Sequence, residues 1–165
     1  MKLIKLWEAN LEKAYALQSS FEKDENGFMN IAYGFTLDEF KEYVKKREKS
    51  SLGIDLAEGY VPDTVFVLVD DEENYVGIFN LRHYLNEFLI NGAGHIGYGI
   101  SPNYRQKGYA TKGLRLVLNE AKKMGIDEAY LSVNKDNQGS IKAQLNNGAT
   151  IHHEDDKEYY TRIKL

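Results

Sequence analysis

The sequence predicts a mixed α/β fold, and three observations carry that reading. Helical patterns fill most of the first fifty residues, a meander of short apolar and β-branched runs follows, and the chain then goes strand, helix, strand. Elements in that order build a sheet with helices packed on it. At 165 residues the chain is expected to form one domain, 1–165, large enough for a real core. No internal repeat, low-complexity tract or linker interrupts it.

Each element has a local reason. Residues 2–6 read as a short first strand. Leu11, Ala14, Leu17 and Phe21 recur at helical spacing across 9–23. Thr36-Leu37-Asp38-Glu39 is a capping box, and Phe40, Tyr43 and Val44 carry that helix to about Lys49. Residues 50–63, with Gly53, Gly59 and Pro62, read as a plain connection, with a substrate-side loop as the alternative. Thr64 to Asp70 is a strand, Asp71-Glu72-Glu73-Asn74 a polar hairpin tip, and Tyr75 to Leu85 the returning strand. After a connection at 86–91, a third strand runs from Ala93 to Ile100. A helix from Leu114 to Met124, a strand from Ala129 to Asn134 and a short helix from Gly139 to Asn146 follow. Ala149–His152 and Tyr159–Lys164 read as a closing hairpin.

Between the third strand and its helix lies the chemistry-bearing loop, Ser101 to Thr111. The first turn of a helix has free N–H groups and a partial positive charge, which together seat an anion. Arg105 and Lys107 add full charges, and Gly108 and Ala110 let a phosphate approach the backbone. The loop reads as a pyrophosphate cradle. Its neighbourhood agrees: residues 101–135 carry a net +4 inside a chain of net −4. Lys112, Lys122 and Lys123 read equally well as a solvated helix face.

The spacing Arg105-x-x-Gly108-x-Ala110 resembles the acyl-CoA-binding motif of the GNAT family of N-acetyltransferases. The resemblance extends to Pro102 after the strand, the following helix and strand, Asn137, Ser140 and Asn147-Gly148, and covers residues 93–165. The N-terminal half matches only in its order of elements. The resemblance implies the GNAT fold, a central, mostly antiparallel sheet with helices on both faces. It implies acetyl-CoA as cosubstrate and direct acetyl transfer, in a ternary complex, to the primary amine of a small molecule or peptide. By position, Ile100, Arg105, Gln106, Lys107, Gly108, Tyr109, Ala110, Thr111, Asn137 and Ser140 would hold the cofactor. A homodimer is a further option, since family members often pair.

One departure concerns the proton donor. Many relatives place a tyrosine seven residues beyond the asparagine matched by Asn137, and here that residue is Gln144. Glutamine cannot protonate a departing thiolate, so another group does it, with Tyr98, Tyr130, Tyr159 and Tyr160 as the substitutes, or solvent does it, or the CoA thiolate leaves unprotonated. The departure motivates an alternative, a CoA-binding sensor or partner module with little catalysis. For the base that must deprotonate an alkyl amine at neutral pH, His95 is the first candidate, because its intrinsic pKa suits the task. Glu87 and His83 come next.

Composition excludes other classes. With no cysteine there is no disulfide, thiolate metal site or cysteine nucleophile. No apolar run suits a membrane span and no signal segment opens the chain, which together favour the cytoplasm. The acidic balance argues against nucleic acid as a partner. Gly92-x-Gly94-x-x-Gly97 matches a dinucleotide fingerprint, but strand-like residues follow it where a helix should open. The run His152 to Asp156 lies in a turn, and no metal is expected there.

Overall fold

The Glu39 carboxylate accepts the Thr36 N–H at 2.7 Å while Thr36 Oγ1 accepts the Glu39 N–H at 3.3 Å, so the capping box starts a helix where the sequence places it. The computed structural model describes residues 1–165. In order these form β1 (Lys2–Lys5), α1 (Leu11–Ser19), β2 (Asp24–Glu25), β3 (Phe28–Met29), α2 (Leu37–Ser51), β4 (Asp63–Val69) and β5 (Tyr75–Arg82). Then come α3 (Glu87–Ile90), β6 (Ile96–Ile100), α4 (Tyr109–Lys123), β7 (Glu128–Asn134), α5 (Gln138–Leu145), β8 (Thr150–Glu154) and β9 (Glu158–Lys164). No helix is long and apolar enough to cross a membrane.

The strands form two antiparallel sheets, ordered β1-β4-β5-β6 and β7-β9-β8, besides the small β2–β3 hairpin. The two sheets join at one seam. Gly94 bridges Leu131, the His95 N–H donates to Tyr130 O at 2.6 Å, and the Tyr130 N–H donates to His95 Nδ1 at 3.0 Å. Gly94 has φ +66°, and a Cβ there would fall 2.1 Å from Tyr130 O, so no other residue fits this seam without moving it. Beyond the seam β6 pairs only with β5, and a gap opens between β6 and β7.

Apolar cores cover both faces of the larger sheet. Leu114, Val117, Leu118 and Ala121 of α4 pack on Phe66, Leu68, Phe79 and Leu81. Leu17 of α1 and Phe40 of α2 pack on Val65, Val67, Val69 and Ile78 on the opposite face. Inward residues of β4 and β5 therefore alternate between two cores, as the period of a strand requires.

Several boundaries differ from the sequence reading, and α1 ends at Ser19 rather than at residue 23. β5 stops at Arg82 rather than Leu85, and residues 86–91 hold the one-turn helix α3, capped by Asn86 Oδ1 accepting the Leu89 N–H. β6 starts at Ile96 rather than Ala93, because Gly94 and His95 turn to make the seam. α4 begins at Tyr109, five residues before the expected start. Its first turn carries no apolar stripe, and Gly113 sits where a Cβ would fall 2.3 Å from Phe79 Cζ, so this end lies close against the sheet.

Candidate active site

The cradle is built by two left-handed residues. Gln106 has φ 61° and Gly108 φ 78°, and between them they turn the chain from the end of β6 into the start of α4. No side chain caps α4. The six consecutive N–H groups from Gln106 to Thr111 donate to no group in the protein. They are the orphan donors of a helix start, extended backwards by the turn, and they suit a polyanion.

These amides border a cavity of about 660 Å³, lined by Ile100, Arg105, Gln106, Gly108, Tyr109, Ala110 and Thr111 on one side and by Asn137 and Ser140 on the other. Asn137 caps α5, accepting the Ser140 N–H on its Oδ1 at 3.1 Å. Lys107 does not line it: its ammonium donates to Asn103 O at 3.3 Å and lies over the Tyr104 ring. Arg105 folds back, with Nε donating to Ile100 O at 3.0 Å and a guanidinium nitrogen 2.7 Å from Glu25 Oε2.

Glu25 and Asn26 belong to the β2–β3 hairpin, which was not anticipated from sequence. Its signal is the dipeptide Asn26-Gly27, whose two positive φ values, 54° and 94°, make the tight turn such a pair favours. Asn134 Nδ2 donates to Asn26 Oδ1 at 2.8 Å, which pins the turn over the gap between β6 and β7.

A second, wider cleft of about 1240 Å³ opens on the face beneath α1 and α2. Asn26, Tyr98, Asn137 and Ser140 line both spaces, so they meet across the gap. The backbone of β6 is directed into that gap. The Ser101 N–H donates to Val76 O, and His95 O accepts from the Arg82 N–H, so the odd-numbered residues pair with β5. By strand alternation, Ile96, Tyr98 and Ile100 point their N–H and C=O groups the other way.

The Acetyltransferase (GNAT) domain model matches residues 4–150. The chain belongs to the GNAT family of acetyltransferases. Solved structures agree on its fold. The ribosomal-protein-S5-alanine acetyltransferase of Vibrio fischeri is 18% identical, with a TM-score of 0.67, over 99% of this chain and 91% of that one. The spermidine N-acetyltransferase of Vibrio cholerae, solved with CoA and spermine, is 17% identical, with a TM-score of 0.65, over 99% and 94%. The N-acetyltransferase PseH of Campylobacter jejuni, solved with acetyl coenzyme A, is 18% identical, with a TM-score of 0.63, over 99% and 97%. A search of curated proteins finds no match.

In this GNAT domain Gln144 lines the wider cleft and is held by two hydrogen bonds. Its Nε2 donates to Ser132 O at 3.3 Å and its Oε1 accepts from Thr161 Oγ1 at 2.7 Å, tying α5 to β7 and β9. Tyr98 reaches the same helix from β6. Its ring stacks on Phe79 and its hydroxyl donates to Ser140 O at 3.3 Å. Burial pushes the phenol above its ordinary pKa, so it is protonated at neutral pH. Tyr130, Tyr159 and Tyr160 border neither space.

His95 is placed differently from its sequence candidacy. It is buried at the seam, its Nδ1 accepts the Tyr130 N–H, and it borders neither space. Burial, with Arg82 and Arg162 nearby, pushes its pKa down to about 4. That geometry is structural, because the atom that would take a proton already holds an N–H. His83 pairs its Nε2 with Thr64 Oγ1 at 2.9 Å and also lies outside both spaces. Glu87 does line the wider cleft, at the first turn of α3. So do Glu58, Gly59, Tyr60 and Val61, which makes the 50–63 segment a cleft-side loop at its end.

Proposed function

We infer that this protein transfers the acetyl group of acetyl-CoA to an amine by direct attack. The observation that carries the reading is the run of six unpartnered amides, Gln106 to Thr111, at one end of a gap that continues past Tyr98 into a second cleft. The spermidine acetyltransferase among the structural neighbours acts on an amine, which supports that acceptor class. Bound acetyl-CoA supplies a thioester carbonyl, activated toward a nitrogen nucleophile.

The chain's residues have separable roles in this reading. The cradle amides and the start of α5 at Asn137 hold the phosphates and the arm beyond them. The Tyr98 N–H, directed into the gap, is the donor for negative charge on the carbonyl oxygen. The acceptor enters as an ammonium and must lose one proton before attack, and Glu87, one of the carboxylates lining the cleft, takes it in this reading. The nitrogen forms its bond to carbon, the carbon–sulfur bond breaks, the Tyr98 hydroxyl passes its proton to sulfur, and the nitrogen gives up its second surplus proton to water. Solvent then restores the phenol and clears the carboxylate, leaving the amide, free CoA and one proton.

Titration calorimetry with acetyl-CoA, followed by detection of free thiol in the presence of amines, tests both halves. Binding with acceptor-dependent thiol release supports the enzyme. Binding with no release from any amine leaves a CoA-binding module, and absence of binding sinks both.

A further inference from the structure

The wider cleft carries polar groups that bear on the acceptor's chemistry, an inference that rests on the acyl-transfer reading above. The face of the larger sheet under α1 and α2 changes character along its length. Val67 pairs with Ile78, and Ile78 with Gly99, an apolar row nearest the cradle. Val65, Asn80 and Gly97 form the next row, and Asp63 and Arg82 the row beyond. Arg47 reaches this last row from α2 and ion-pairs with Asp63.

Two buried side-chain atoms in the molecule have no hydrogen-bond partner, Asn80 Oδ1 and Arg47 Nε. Both residues line the cleft. A buried polar atom left unpaired is costly, and a bound ligand is one way such an atom is satisfied. The floor beside Asn80 is open, since Gly97 has no side chain and a Cβ there would touch nothing within 4 Å. Arg82 donates to Gly94 O at 3.0 Å and has no carboxylate at ion-pair distance. Within this row Arg47 and Arg82 against Asp63 leave one positive charge, while Glu58, Glu87 and Glu158 also line the cleft, make it net negative as a whole and favour an ammonium.

We propose that the acceptor is a zwitterion whose carboxylate sits on Arg82 and Arg47 and whose amine lies over Gly97, donating an N–H to Asn80 Oδ1. A monoanion balances the single excess charge, and a guanidinium fork matches a carboxylate in plane. The two rows are two residues apart along β5, about 7 Å, which is the nitrogen-to-carboxyl reach of an ω-amino acid of about five carbons. A polyamine instead sets a second cation against two arginines.

The test is calorimetric binding to the CoA-loaded protein, using 4-aminobutyrate, 5-aminovalerate, 6-aminohexanoate and L-lysine. Each is paired with the amine lacking its carboxylate (propylamine, butylamine, pentylamine, cadaverine), and spermidine is added. At least one zwitterion is expected to bind tenfold or more tightly than its partner and than spermidine, a difference that Arg82→Gln or Arg47→Gln erases. Asn80→Ala, which removes a side chain without a hydrogen-bond partner for its oxygen, weakens both members of the favoured pair. Equal or absent binding across every pair, or tightest binding by spermidine, overturns the proposal. Because CoA loading is measured first and no turnover is required, that failure is distinct from failure of the acyl-transfer reading.

Discussion

Arg105 and Glu25 form an ion pair at 2.7 Å that ties the β2–β3 hairpin to the anion cradle across 80 residues of sequence. Burial raises the Glu25 carboxyl, but the Glu22 N–H and the Arg105 guanidinium outweigh it and hold its pKa below the ordinary value. The carboxylate is therefore ionised at neutral pH, beside the place proposed for a polyphosphate. Glu25→Gln frees Arg105 and removes a repulsive charge. Acetyl-CoA affinity is expected to rise about threefold to tenfold at low salt, with the gain shrinking at high salt. Calorimetry at two salt concentrations checks this, and weaker binding at low salt would mean the pair positions Arg105 instead.

Gly108 faces two separate demands. Its φ of 78° costs an L residue about 1 kcal/mol or more. A Cβ there meets nothing in the protein, so any further loss belongs to the ligand. Gly108→Val is expected to lower Tm by only a few degrees and to abolish acetyl-CoA binding. A folded variant with unchanged affinity would remove the cradle from the site.

Tyr98→Phe deletes the hydroxyl that donates to Ser140 O and keeps the ring on Phe79. If the phenol protonates the leaving sulfur, kcat falls on the order of a hundredfold while acetyl-CoA affinity changes far less. Solvent sets the floor of that fall. An unaltered kcat returns Tyr98 to packing.

His95 makes a prediction about stability. Its folded pKa, about 4, lies below the usual value near 6.5, so the unfolded chain binds the extra proton first. Its contribution is complete above pH 6.5 and is lost as pH falls toward 4, on the order of 2 kcal/mol across that window. Thermal melts from pH 7 to 4.5 should steepen downward in the wild type and flatten in His95→Gln, whose Tm at pH 7 is lower because the Tyr130 N–H loses its acceptor. A slope identical in both proteins would show that His95 does not titrate here. No inflection from His95 is expected in the pH profile of turnover.

Much of the site was legible because its signals are local. A capping box, the Gly108 turn and the Asn137 cap each act within four residues, so their spacing alone predicts them. Cofactor candidates on the cradle and α5 accordingly line one cavity, apart from Lys107, whose reach toward Asn103 and Tyr104 is decided by side-chain rotamer. His95 is a candidate by intrinsic pKa, which is read from residue type, whereas in the fold burial and the nearby Arg82 and Arg162 push that pKa down. Asn26-Gly27 is a local turn signal, but its consequence, a hairpin closing over the cradle, lies in contacts with Asn134 and Arg105.

The sequence by itself determined the fold class and most of its elements, the basic, glycine-containing loop between β6 and α4 and the absence of any cysteine side chain, since periodicity, turn residues and composition need no partner to act. The tertiary structure alone decided that β6 and β7 part beyond Gly94, that Tyr98 reaches α5 where Gln144 is held by two hydrogen bonds, and that Arg47, Asn80 and Arg82 share one floor. Those relationships join residues tens of positions apart. They depend on strand register and on which face each side chain takes, and a single slip of one residue would reverse every one of them.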